Sequence, residues 1–222
     1  MALILWFNME LYLRNNRCTI VLFDLDGTFY PRSFYESKYT EFLISALYHY
    51  FKMDRETALS VLRDNDIISS KSNSAKSFTE FIISRGILTS DWNNFRDANY
   101  KLTGFEKTCV VTETSLRTIG VGRLLFLVSN NSLKTINRIL KEISIPSQIF
   151  NHIYSSEQMI EGNSKKQVYR QIKRSQSCSY TEMVAIGDRY ISDLKPLIEL
   201  GGNGILVNSP VEIENIAQLL SV

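Results

Sequence analysis

Ile20-Val21-Leu22-Phe23 is an unbroken apolar run that stops at two carboxylates, Asp24 and Asp26, with Gly27 and Thr28 directly after. A run of this kind bounded by a glycine predicts a strand buried on both faces. Alternation along an extended backbone puts residues two apart on one side, so both acids leave the sheet together. Two acids side by side repel unless a positive charge joins them. A divalent cation is such a charge, and Mg²⁺ prefers oxygen ligands of this type. A chain built around this segment is expected to do metal-assisted chemistry at a strand end.

The pattern after Thr28 changes period. From about Tyr35 to Tyr100 it is helical, with Phe42, Leu43, Ala46, Leu47 and Tyr50 on one face. Asp54 reads as the N-cap of a helix over Arg55 to Arg63. Ser77 to Ser84 and Asp91 to Ala98 read as further helices, and Ser69 to Ser77 as a polar loop. Strand and helix then alternate: Leu124 to Val128, Leu133 to Glu142, His152 to Ser155, Lys165 to Arg174, Met183 to Ile186, Gly204 to Val207 and Glu212 to Leu220. That alternation predicts a parallel α/β sheet, with the helical block inserted between its first and second strands. The expected organisation is an α/β core from 1–30 and 105–222, with a helical cap domain over 31–104.

The 222 residues, 44% hydrophobic, suffice for one large domain or a domain plus an insert. A net charge of +2 gives no case for a nucleic-acid or membrane partner. Cys18, Cys109 and Cys178 are scattered, which suggests reduced thiols and a cytoplasmic location. The opening run Met1 to Phe7 is too short to span a bilayer and lacks the marks of a signal peptide. It reads as an extra strand or helix packed on the domain.

Ligands of an open parallel sheet bind beyond the carboxyl ends of its strands. Those ends carry Asp24 and Asp26, then Ser129 and Asn130, then Asp188 and Asp193, while Lys165 starts the helix after the strand ending at Ser155. Together they form a phosphoryl-transfer set: metal and lysine neutralise phosphate, and a carboxylate serves as nucleophile. Ser129 also suits a helix cap, and Lys166 is the alternative to Lys165. Arg189 and Tyr190 are substrate contacts or loop residues. His49 and His152 read as structural or surface groups.

These motifs, in this order, resemble the haloacid dehalogenase-like (HAD) superfamily. Asp24-Leu25-Asp26-Gly27-Thr28, Ser129-Asn130, Lys165 and Gly187-Asp188 with Asp193 match its four motifs. The resemblance implies a Rossmann-like parallel-sheet core with an inserted all-α cap. It also implies a Mg²⁺-dependent phosphatase acting through an aspartyl-phosphate. Asp24 would be the nucleophile and Asp26 the acid and base. Asp24, the Asp26 carbonyl, Asp188 and Asp193 would serve the metal. Thr28, Ser129, Asn130 and Lys165 would serve the phosphoryl group.

An acid at position 26 favours a phosphatase or a phosphomutase over a dehalogenase. A non-catalytic binding domain of the same fold would be expected to lack one of these four aspartates. Phe29-Tyr30-Pro31 is similar to the pyrimidine 5′-nucleotidase subgroup, with Gly27 and Phe29 where that subgroup has Asn and Leu. The expected substrate is a small phosphate ester, whether a nucleotide or a sugar or polyol phosphate. The sequence leaves monomer and homodimer both open.

Overall fold

The computed structural model describes residues 9–14, 17–68, 77–100, 111–159 and 165–220. The segment Met1 to Phe7, most of the polar loop before Ser77, Cys109 and the expected boundary near 104 lie outside the described residues.

Six strands form one sheet: β1 (Glu10–Tyr12), β2 (Ile20–Phe23), β3 (Leu124–Val128), β4 (His152–Tyr154), β5 (Met183–Gly187) and β6 (Asn203–Leu206). Their spatial order is β1-β6-β5-β2-β3-β4. Five strands run parallel, as the alternating pattern predicts, and β1 joins antiparallel to β6. That antiparallel edge departs from the all-parallel expectation. Three residues carry too little periodicity to be read from sequence, and β1 takes its register from β6, through Leu11 opposite Ile205.

The central strands are covered on both sides, which explains their continuous apolar runs. Val21, Phe23, Leu125, Leu127, Val184 and Ile186 point to one face, and Ile20, Leu22, Phe126, Val128, Met183 and Ala185 to the other. The first face takes α5 (Glu113–Ile119), α6 (Leu133–Glu142) and α9 (Glu212–Leu219). The second takes α7 (Lys165–Ser175) and the short α8 (Lys195–Ile198). Fully burying each such aliphatic side chain is worth about 1.5–3 kcal/mol, before the entropy of ordering it.

Between β2 and β3 lie α1 (Arg32–Phe51), α2 (Arg55–Asp64), α3 (Phe78–Ser84) and α4 (Thr89–Asn99). Asp54 caps α2 by accepting from the Thr57 N–H, and Ser77 caps α3 by accepting from Glu80. Both caps follow from local chemistry. The block packs on its own aromatics: Phe42 lies 5.6 Å from Trp92 and 4.8 Å from Tyr100, centroid to centroid. The buried Trp92 indole donates to Thr79 Oγ1 at 3.0 Å. Among the described residues, no helix is long and apolar enough to cross a membrane.

Candidate active site

The chain runs from β2 outward to β3 and β4, then crosses back to β5 on the other side of β2. The carboxyl end of β2 is therefore the switch point of the sheet, where a crevice opens. The loops after β2, β3 and β5 bring Asp24, Asp26, Asn130, Asn131, Asp188 and Asp193 to the wall of one pocket. Tyr39, Ser77, Phe78, Arg96 and Tyr100 of the helical block line its opposite side.

Asp24 and Asp26 have different partners despite their spacing. Lys165 Nζ lies 2.5 Å from Asp24 Oδ1 and 2.8 Å from Asp193 Oδ1, and its side chain is 3% exposed. Asp26 instead accepts from the Tyr30 hydroxyl and, at 2.6 Å, from Asn131 Nδ2. Lys166 points outward to Glu199 at 2.6 Å. Asp193 sits in a π-turn over Tyr190–Leu194, and its Oδ2 accepts from the Arg189 N–H. Such turns recur at functional sites because they redirect a side chain out of helical register.

Ser129 and Thr28 are fully buried behind this wall. Ser129 Oγ accepts from the Asn131 N–H, and Thr28 Oγ1 has no hydrogen-bond partner among the described residues. The Asn130 amide donates to Ser77 Oγ at 3.3 Å, so its side chain reaches toward the helical block. The two histidines lie outside this wall, His49 against Phe95 and His152 against Tyr154.

One oxygen each from Asp24, Asp188 and Asp193 falls within 4.8 Å of the others. Both Asp188 oxygens are buried without a hydrogen bond, and the Arg32 guanidinium stands 3.8 Å away. Burial first, then the Asp193 charge, pushes Asp188 up to about 7. The same two causes, in the same order, hold Asp24 well above the carboxylate range, with Lys165 pulling it back. Burial alone would lower the Lys165 ammonium, but Asp193 and Asp24 hold it above its ordinary value. Three converging carboxylates, one of them with orphaned oxygens, fit a hard divalent cation.

This gives a pH prediction for the metal-free protein. Native Asp188 keeps its proton up to about 7, whereas the unfolded chain releases it near 3.8. The folded state binds more protons across that window, so stability falls as pH rises through it. The thermal midpoint in chelator should drop between about pH 4 and pH 7, and a divalent cation should restore most at the upper end. A flat profile in chelator would show Asp188 already ionised against a partner.

Solved structures share this architecture across nearly the whole chain. One is a haloacid dehalogenase-like family hydrolase from Xanthomonas campestris, 18% identical, with 95% of each chain covered and a TM-score of 0.53. A second is a HAD phosphatase from Thermococcus onnurineus, 12% identical, covering 89% of this chain and 97% of that one at 0.54. A third, a predicted HAD-like family hydrolase from Porphyromonas gingivalis, is 16% identical, covering 93% and 99% at 0.53. The fold is that of the haloacid dehalogenase-like hydrolases. No protein-family model matches the chain, and no curated protein matches its sequence.

Within this HAD-like fold the structure brings Asp24, Lys165, Asp188 and Asp193 into one cluster, with Asp26 beside it. Asn131, Arg32 and Arg96 also belong to the site but were not singled out from sequence, and Tyr30 was noted only as part of Phe29-Tyr30-Pro31. Asn131 directly follows Ser129-Asn130, so its place in that loop was the available signal. Arg96 carried a weaker one: Asn93, Arg96 and Asp97 are polar residues at helical spacing in a helix anchored by Trp92.

Proposed function

We propose that the protein is a Mg²⁺-dependent phosphatase that cleaves a small phosphate monoester through an aspartyl-phosphate on Asp24. The observation that carries this reading is the division of labour between the two neighbouring acids. Asp24 lies with Lys165, Asp188 and Asp193, where cation and phosphate charge belong. Asp26 lies beside that cluster but has its own partners, Tyr30 and Asn131. Two carboxylates in unlike environments are suited to unlike roles.

In the first step an Asp24 oxygen attacks phosphorus, the ester P–O bond breaks, and Asp26 gives its proton to the departing oxygen. In the second, Asp26 takes a proton from water, whose oxygen attacks phosphorus. Inorganic phosphate leaves and Asp24 is regenerated. Lys165, with Ser129 and Thr28 behind it, holds phosphoryl oxygens whose charge spreads in the transition state. A bound Mg²⁺, held by Asp24, Asp188, Asp193 and the Asp26 carbonyl, would neutralise phosphoryl charge. The helices of 31–104 would act as a cap that excludes water and selects the substrate.

The test is turnover of a generic aryl phosphate. Phosphate release is expected with Mg²⁺ and should fall to background after chelation. Absence of release in both conditions would overturn the reading.

A further inference from the structure

Arg96 stands out among the charged groups of the pocket. It lies on α4, is 3% exposed, and lines the cavity across from Asp24 and Asp26. Its partners are all neutral. Nη1 donates to the Asn130 carbonyl at 2.8 Å, and Nη2 to Asn93 Oδ1 at 2.7 Å and Ser156 Oγ at 3.4 Å. The next residue, Asp97, does not serve it, since Asp97 Oδ1 accepts from Ser132 and Thr135. Arg96 Nε is buried with no hydrogen-bond partner among the described residues.

A buried guanidinium without a carboxylate in contact is costly to keep. If a link between α4 and the Asn130 loop were its whole purpose, a neutral donor would suffice. A cation at this place lowers the cost of bringing an anion into the pocket. The space in this partly open pocket is about 60 Å³. That is far below the roughly 300–1,000 Å³ of a site for a drug-sized ligand. A space of that size favours an anion on Arg96 that lies close to the ester phosphate.

We infer that Arg96 is a specificity-determining residue that binds a second anionic group on the substrate, so that the enzyme prefers compact phosphate esters carrying a carboxylate or a second phosphate. This rests on the phosphatase reading of the same site. The geometry disfavours a nucleoside monophosphate, which has neither the second anion nor the compactness.

The experiment compares size-matched esters: a neutral hydroxyalkyl phosphate, the corresponding carboxyalkyl phosphate and the corresponding bisphosphate. Wild type should favour an anionic member by about 10- to 100-fold in kcat/KM, the range for one charge-assisted contact. Whichever of carboxylate and bisphosphate is faster identifies the anion. Arg96→Gln should collapse the ratio toward one, chiefly through KM, and Arg96→Lys should retain part of it. A purely structural Arg96 would lower all three esters alike and leave the ratio unchanged, which would overturn the inference. So would a wild type that prefers the neutral ester, a result needing no variant. Either outcome leaves the phosphatase reading standing if aryl phosphate is still cleaved. Loss of aryl phosphate cleavage in wild type would remove both.

Discussion

Asp24→Asn is expected to lower phosphate release by about 10⁴-fold or more, the scale seen when a nucleophile is removed. The carboxamide is the same shape but has no anionic oxygen to attack phosphorus. The same substitution should leave the metal-free protein folded and at least as stable. Burial and the Asp193 charge already disfavour ionised Asp24, so a neutral isostere relieves that repulsion. Lys165 keeps Asp193 at 2.8 Å as its counter-charge. Activity and stability should thus move in opposite directions. The checks are single-turnover release with Mg²⁺ and thermal unfolding in chelator. In the wild type, a burst of leaving group ahead of phosphate would report the covalent intermediate. Release by Asp24→Asn at more than a tenth of the wild-type rate would sink the nucleophile assignment.

What could be read from sequence follows the range of the interactions involved. Buried parallel strands announce themselves as apolar runs, so β2, β3 and β5 were legible, as were helix starts fixed by Asp54 and Ser77. The edge strand β1 was not, because its stabilising partner β6 lies almost the whole chain away. The short helix α5 also escaped, since seven residues hold too few turns to show a period. At the site, the acids and Lys165 were marked by following apolar runs or starting a helix. The residues contributed by the helical block had no such marker. Arg96 reads as an ordinary surface arginine until the fold buries it against Asn130. Its placement depends on how α4 meets the core, through Asp97 with Ser132 and Thr135, and through Tyr100 with Arg138. No local pattern encodes that docking.

Gly27→Ala should damage the protein twice over. Gly27 has φ +81, a left-handed conformation that costs an L side chain about 1–3 kcal/mol. A Cβ there would also overlap the Asp188 carboxylate. Asp188 has little freedom to yield, because it is buried and follows β5 directly. Forcing atoms into packed space costs about 1–3 kcal/mol more. The combined loss, about 2–6 kcal/mol, corresponds to a midpoint lowered by about 4–24 °C in a chain of this size. Displacing Asp188 should also raise the Mg²⁺ concentration needed for activity by about 10- to 100-fold, the effect of disturbing groups that orient metal ligands. Gly86→Ala separates the two causes. Gly86 has a similar φ of +89, but an added Cβ there would meet nothing within 4 Å. It should show the backbone cost alone, with the wild-type Mg²⁺ requirement. If Gly27→Ala and Gly86→Ala gave equal midpoints and equal Mg²⁺ curves, the close approach of Gly27 to Asp188 would have no energetic consequence. The unequal result would tie the glycine of the first motif to the carboxylate of the fourth: the bare backbone at position 27 leaves the space in which Asp188 can face a cation.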